Sequence, residues 1–332
     1  MNNNLLEIRR LKTYFFTAKG VVKAVDGVSF GLRKGENLCL VGETGCGKTA
    51  TALSILRLID SPPGRIVGGE ILYHREDLLR CSSERLRQIR GNWIAMIFQD
   101  PQSSLNPVFT TGDQIAEQIK LHLRLGHRQA MERSLQLMEQ VGIPRARERM
   151  KDYPHQFSGG MRQRVMIAAA LSCDPEILIA DEPTTALDAT IKDQILDILR
   201  DLKQRRNMSI LFITHDLGTV ASIADRIVVM YGGRVAEAGT VFDIFDQPKH
   251  PYTIGLINCL PSISTRRDRL TPIPGTIPSL IDVPEGCIFN PRCPRRMPIC
   301  CQIRPAEIVI SGEHLVACHL YSGPAFGEDI RK

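Results

Sequence analysis

Short apolar runs, set off by glycines, prolines and charged stretches, recur along the chain, and their period changes as it proceeds. Residues 5–33 alternate between apolar and polar positions, a period of two that predicts strands over Leu5–Leu11 and Val21–Phe30, the second interrupted by Gly27. Leu38–Val41 is a continuous apolar run of the kind that suits a strand covered on both faces. Ala50–Leu58 then favours a helix, Ser61-Pro62-Pro63-Gly64 a turn, and Gly68–Tyr73 a hairpin-like return. Ser82–Arg90 predicts a short charged helix and Ile94–Phe98 a second buried strand. Between 111 and 150 the period lengthens to that of helices, with apolar positions at Ile115, Ile119, Leu121, Leu125, Leu135, Leu137, Met138 and Val141. A helical insertion between strands of the main sheet is expected there. An Arg-, Gln- and Ala-rich helix runs to Leu171, Ile177–Ala180 is a third buried strand, Ala189 to about Arg206 a long helix, and Ser209–Thr214 a strand. Arg226–Tyr231 and Arg234–Gly239 predict a hairpin around Gly232-Gly233. From about residue 262 prolines crowd the chain up to Pro305, which predicts a small loop-rich unit that does not continue the α/β core.

Composition narrows the class. The chain has 332 residues, 43% hydrophobic and 23% charged, enough to bury a sizeable core. Its net charge of +6 is spread without a polybasic block, so a solvated basic surface is expected. No basic stretch is interleaved with aromatics, and no nucleic-acid partner is expected. No apolar run nears the roughly 18 residues a membrane span needs. Met1–Asn4 lacks the pattern of an export signal. The cytoplasm is the expected compartment, where the ten cysteines are reduced thiols unless a metal or cluster holds them.

The sharpest chemical signal follows Leu38–Val41. Gly42-Glu43-Thr44-Gly45-Cys46-Gly47-Lys48-Thr49 stands between a predicted strand and a predicted helix. Glycines there let successive backbone N–H groups turn inward onto phosphate oxygens, and the helix N-terminus adds partial positive charge. Lys48 can reach outer phosphates and Thr49 can sit on Mg²⁺. Cys46 stands where a small residue is tolerated, with oxidation of the loop as the alternative reading.

Other motifs are weak one by one. Gln99 lies at the C-terminal end of a predicted strand, where open α/β sheets bind ligands. Ser158 stands at an N-cap before Gly159, Gly160 and Met161. Asp181 and Glu182 end a strand, Asp188 precedes a helix and His215 follows a strand. Tyr14-Phe15-Phe16 suits either edge packing or stacking on a base.

Together, and in this order, these motifs resemble the ATP-binding cassette (ABC) family across roughly residues 5–260. The resemblance implies an α/β fold: an ABC nucleotide-binding domain with a RecA-like core sheet, an antiparallel β-subdomain and a helical subdomain (about 103–165), over residues 1–262. A small loop-rich C-terminal domain, 263–332, follows. It implies that Phe15 (or Tyr14) stacks on adenine and that Gly42–Thr49 holds the phosphates of ATP. Thr49, Gln99 and, from the outer shell, Asp181 serve Mg²⁺. Gln99 also touches the attacking water, Glu182 polarises it and His215 contacts the γ-phosphate. Phe157–Met161 is the signature loop, whose Ser158, Gly159, Gly160 and Met161 complete the ATP site of an opposing subunit, with Asp188 in the D-loop. Phe157 and Met161 depart from the usual Leu and Gln of that loop.

Gln99–Pro107, His250-Pro251-Tyr252-Thr253 and Ile273–Pro278 are similar to the branch that energises bacterial di- and oligopeptide importers, which also serves nickel, glutathione and some sugars. The branch implies two transmembrane permease subunits, a second related cassette, an extracytoplasmic solute-binding protein acting indirectly, and a peripheral position on the cytoplasmic face of the inner membrane. A soluble ABC ATPase acting on nucleic acid or ribosomes is the competing class, and single-cassette organisation disfavours it. Cys287-x5-Cys293-x6-Cys300-x17-Cys318, with Cys301 as a neighbour, is similar to the cluster-bearing tail of dipeptide-type subunits and suggests a [4Fe–4S] cluster. Zn²⁺ and plain buried thiols are the alternatives, since paired C-x2-C knuckles are missing.

Overall fold

A computed structural model of the chain describes residues 4–185, 187–260 and 272–322. In chain order the elements are β1 (Asn4–Thr17), β2 (Gly20–Arg33), β3 (Asn37–Val41), α1 (Lys48–Ile55), β4 (Gly64–Tyr73), β5 (Glu76–Asp77), α2 (Ser83–Ile89) and β6 (Ile94–Ile97). Next come α3 (Pro101–Ser104), α4 (Thr111–Leu123), α5 (His127–Gln140), α6 (Ala146–Arg149), α7 (Gly159–Ala170), β7 (Ile177–Asp181), α8 (Ala189–Arg206), β8 (Ser209–Thr214) and α9 (Leu217–Ile223). The last are β9 (Arg226–Tyr231), β10 (Arg234–Thr240), α10 (Val241–Asp246), α11 (Pro251–Asn258), β11 (Ile308–Ser311) and β12 (His314–Val316). The fold is α/β. The chain groups into two compact units: residues 32–36 with 80–213, and residues 5–31 with 37–79 and 214–332.

In the first unit β6, β7 and β8 run parallel, Ile94 opposite Ile177 and Ile177 opposite Ser209. Every residue of these strands is buried, as continuous apolar runs require when both faces are covered. The helical insertion has the expected amphipathic build. Thr110 caps α4 by accepting from the Asp113 N–H, and Arg124 ends it in the left-handed region. Ile115, Ala116 and Ile119 of α4 and Leu135 and Met138 of α5 turn inward.

In the second unit β2, β1, β4 and β5 form an antiparallel sheet in that order. Strand β3 pairs in parallel with β9, which pairs antiparallel with β10 around the Gly232-Gly233 turn. The proline-rich tail was expected to stay outside the α/β core. Its short strand β12 instead adds to β10, Glu237 opposite Val316, and β11 adds to β12. The side chain behind this is Glu237, fully buried at 0% exposure. Its carboxylate accepts from the Lys249 and His250 N–H groups (2.7 and 2.9 Å) and lies 2.7 Å from His314 Nε2. A buried carboxylate needs such partners, and β12 supplies one. The boundary placed between 262 and 263 lies outside the described residues.

Candidate functional site

The apolar strand β3 delivers the glycine loop, and α1 begins at Lys48 with Gly47 as an N-cap that has no side-chain bond. No acidic residue stands in the first turn of α1, so its N-terminal partial charge is not offset there. Two glycines are required by close approach. A Cβ at Gly42 would lie 2.2 Å from Met230 O, and one at Gly47 2.1 Å from Ala24 O. Lys48 is buried, and its Nζ donates to Gly42 O (2.7 Å) and Glu43 O (3.1 Å), curling the loop around the amine. Burial raises the Cys46 thiol above its ordinary range, which argues against the oxidation-sensitive reading. Thr44, Gly45 and Thr49 are exposed. Gly42, Glu43 and Thr44 line a cavity of about 270 Å³ together with His215, Leu217 and Leu256, which puts His215 beside the loop. A larger cavity of about 450 Å³ in the same unit, lined by Arg10, Tyr231, His250, Cys287, Phe289 and Arg304 among others, contains none of the residues expected to hold ATP.

Glu43 is fixed twice. Its N–H donates to the Tyr252 hydroxyl (2.9 Å). Its carboxylate accepts from Arg292, Nη1 to Oε2 at 2.7 Å and Nη2 to Oε1 at 3.1 Å. Arg292 comes from a single 3-10 turn, Asn290–Arg292, in the tail. Its side chain is 4% exposed. It also donates to Pro274 O, Tyr231 Oη and Ile273 O. The carboxylate raises the guanidinium above its already high range. Behind the loop, Tyr231, Tyr252, His250 and Phe289 pack ring on ring with centroids 4.6–6.5 Å apart. The sequence carries no local cue to either role: His250-Pro251-Tyr252-Thr253 signals only a branch of the family, and Arg292 lies 249 residues from its partner.

In the first unit Asp181 closes β7 and is 1% exposed. Glu182 follows with φ +47°, a left-handed backbone that costs a non-glycine residue free energy and recurs at functional sites. Its Oε2 accepts from Gln99 Nε2 (3.2 Å) and from the Thr185 hydroxyl (2.9 Å). Gln99 and Glu182, 83 residues apart, thus meet. Thr185 is an addition that spacing did not signal. Ser158 is the N-cap of α7 and accepts from the Met161 N–H at 3.4 Å. Gly159 has nothing within 4 Å of a built Cβ, whereas Gly160 sits against Ile191. Asp188 is the exposed N-cap residue of α8.

The aromatics near the N-terminus divide in their surroundings. Tyr14 donates to Asp26 (2.9 Å), and burial with that bond pushes its phenol up to about 12. Phe15 is half-buried. Phe16 is 48% exposed, with the Arg65 guanidinium 5.9 Å from its ring centre.

Cys287, Cys293, Cys300 and Cys318 gather in the tail, where Cys318 feels the charge of the other three and Cys287 that of Cys293 and Cys300. Burial, ahead of those neighbours, pushes Cys318 up to about 11. Cys301 turns instead to Asn290 Oδ1, 4.0 Å away. Among the described residues no three His, Cys, Asp or Glu side chains are arranged to hold a metal ion. Neither the expected [4Fe–4S] cluster nor the Zn²⁺ alternative finds a ready donor set among them.

Residues 25–185 match the ABC transporter family and residues 236–300 the oligopeptide/dipeptide transporter C-terminal region. The second match begins well before 263. The chain is 49% identical over 316 residues to the dipeptide transport ATP-binding protein DppD of Bacillus subtilis, covering 95% of this chain and 94% of that one. It is 47% identical over 316 residues to the oligopeptide transport ATP-binding protein OppD of Salmonella typhimurium, covering 95% and 93%. Among solved structures it resembles the ATP-binding cassette MJ0796 in a dimeric post-hydrolysis state bound to ADP and phosphate. The TM-score is 0.65 at 23% identity, covering 71% of this chain and 98% of that one.

Proposed function

The chain belongs to the ABC transporter family, as an ATP-hydrolysing member of its dipeptide and oligopeptide branch, and from that premise we propose that it powers a peptide importer by closing and opening a pair of cassettes. The observation that carries this reading is the glycine loop. It pairs a buried lysine and an uncapped helix N-terminus with a cavity that His215 shares. Phosphoryl transfer asks mainly for charge neutralisation and a positioned water. Gly42–Thr49, Lys48 and His215 serve the first need for Mg-ATP, with Thr49, Gln99 and Asp181 on the Mg²⁺ side. Glu182 serves the second, with its carboxylate held by Gln99 and Thr185. An aromatic of the Tyr14–Phe16 group stacks on adenine, and Phe16 is the most exposed of the three. Ser158, Gly159, Gly160 and Met161, with Asp188 of the D-loop, answer the nucleotide of a second, related cassette.

No helix among the described residues is long and apolar enough to cross a membrane. The reading therefore assigns transport to two separate permease subunits on the inner membrane, with this chain peripheral on the cytoplasmic face and a solute-binding protein acting from outside. Phe98, Val108 and Phe109, exposed around Gln99–Pro107, suit a hydrophobic contact with a permease. Peptide as the cargo rests on the named relatives. Nickel, glutathione or another small solute would use the same machinery.

The four tail cysteines are proposed as ligands of a [4Fe–4S] cluster. Support comes from the mutual approach of all four thiols, since a polynuclear cluster spreads its thiolates more widely than one ion does. Iron, sulfide and visible absorption of anaerobically purified protein test this; a colourless, iron-free and folded chain would remove it. For the main reading, Glu182→Gln is expected to keep Mg-ATP binding, lower turnover by about 10²- to 10⁴-fold and trap a closed pair. Wild-type turnover of that variant would refute the assignment.

A further inference from the structure

Glu43 lines the same cavity as Gly42, Thr44 and His215, so its carboxylate is never far from it. An ionised acid there opposes any phosphate that enters. The chain answers it from the tail. Arg292 grips both oxygens of Glu43 in the two-pronged geometry that a guanidinium offers and an ammonium does not. Its other donors hold Pro274, Ile273 and Tyr231, and its plane lies 5.7 Å from the Tyr231 ring centre. The Glu43 N–H is meanwhile turned to Tyr252. The second residue of the loop is therefore fixed in both charge and direction by residues beyond 230.

We propose that Arg292 is a positioning residue of the ATP site, which pins and neutralises the Glu43 carboxylate beside the phosphate cavity and so makes nucleotide affinity depend on the tail. This rests on the reading of Gly42–Thr49 as the phosphate loop. The guanidinium touches no nucleotide; it acts through Glu43. The buried, bidentate pair makes the coupling strong, and its position between Cys287 and Cys293 ties it to the cysteine patch.

Calorimetric titration of the full chain with Mg-ATP tests it. Arg292→Ala is expected to raise Kd about tenfold, the loss of roughly one charge-assisted contact. Adding Glu43→Gln to Arg292→Ala is expected to recover most of that loss, to within about threefold of wild type, because no charge is left to neutralise. A role confined to stapling the tail would leave the double variant as weak as Arg292→Ala or weaker, and that result overturns the proposal. So does an unchanged Kd in Arg292→Ala. Should Arg292→Ala fail to fold, Arg292→Gln is expected to weaken binding about tenfold and Arg292→Lys no more than about threefold; equal values for the two overturn it. Lys48→Ala separates the two readings. If it binds Mg-ATP like wild type, the phosphate-loop reading falls and takes this one with it. If it loses binding while Arg292→Ala does not, this inference alone falls.

Discussion

Two glycine-rich loops open helices in this protein, and they are built in opposite ways. Gly42–Thr49 is crowded. Gly42 and Gly47 lie against the backbone of Met230 and Ala24 while Gly45 is open, the lysine folds back onto the loop's own carbonyls, and Tyr252 and Arg292 hold Glu43. Ser158–Met161 is sparser. Its cap is a single serine hydroxyl, Gly159 has no neighbour within 4 Å of an added Cβ, and Gly160 meets only the Ile191 side chain. A crowded loop is shaped in advance for a ligand of its own. A sparse one has room for a surface that arrives from elsewhere, which is the role proposed for the signature loop.

The contrast can be broken by adding one methyl group to each loop. Gly47→Ala has φ +102° and backbone 2.1 Å from the new carbon, so it is expected to cost about 3 kcal/mol or more and to abolish nucleotide binding. Chemical denaturation and Mg-ATP titration measure both. A stable, ATP-binding Gly47→Ala chain would mean the loop is less crowded than its geometry.

The brace behind the crowded loop has a pH signature. His250 is buried, and its Nδ1 accepts from the Tyr252 N–H, which requires the neutral ring. Burial pushes it down to about 4 from an ordinary 6.5. The unfolded chain takes up a proton below about 6.5, while the folded chain resists until about 4. The stability is therefore complete above 6.5 and falls as pH drops through this window, by about 3 kcal/mol in all. His250→Asn keeps an N-cap acceptor and does not titrate there. Urea midpoints for wild type and variant are expected to diverge between pH 7 and 4, with wild type losing more; parallel curves would remove His250 as the cause.

The open loop yields the smallest effects on stability. Ser158→Ala is expected to cost about 1 kcal/mol through the lost cap. Gly159→Ala is expected to change stability by less than about 0.5 kcal/mol, yet to reduce turnover when two cassettes pair. Stopped-flow ATPase assays with the partner cassette read the second effect, and full activity of Gly159→Ala would blunt the comparison.

Most local structure was legible in the chain. Helix α8 and strand β8 fall on the residues that pattern predicts, because the apolar period and the turn residues act within a few positions. Ser158 was legible as a cap for the same reason. What escaped was side-chain pairing over long separations. Glu237 looks like an outward-facing charge on a hairpin strand, and its burial rests on the Lys249 and His250 N–H groups together with the arrival of His314. Arg292, 249 residues away, carries no local cue to Glu43. Periodicity reports which face a residue turns inward; it does not name the polar partner that meets it there.

Glu237 also constrains ancestry. A cassette that never had this C-terminal extension, or has shed it, has no β12 to bring a histidine against that carboxylate, and β10 ends as a sheet edge. Such a chain leaves an acid at this position only the two backbone N–H donors, with no histidine beside it. Gain or loss of the tail in related chains should therefore coincide with replacement at the Glu237 position, two changes inherited as one.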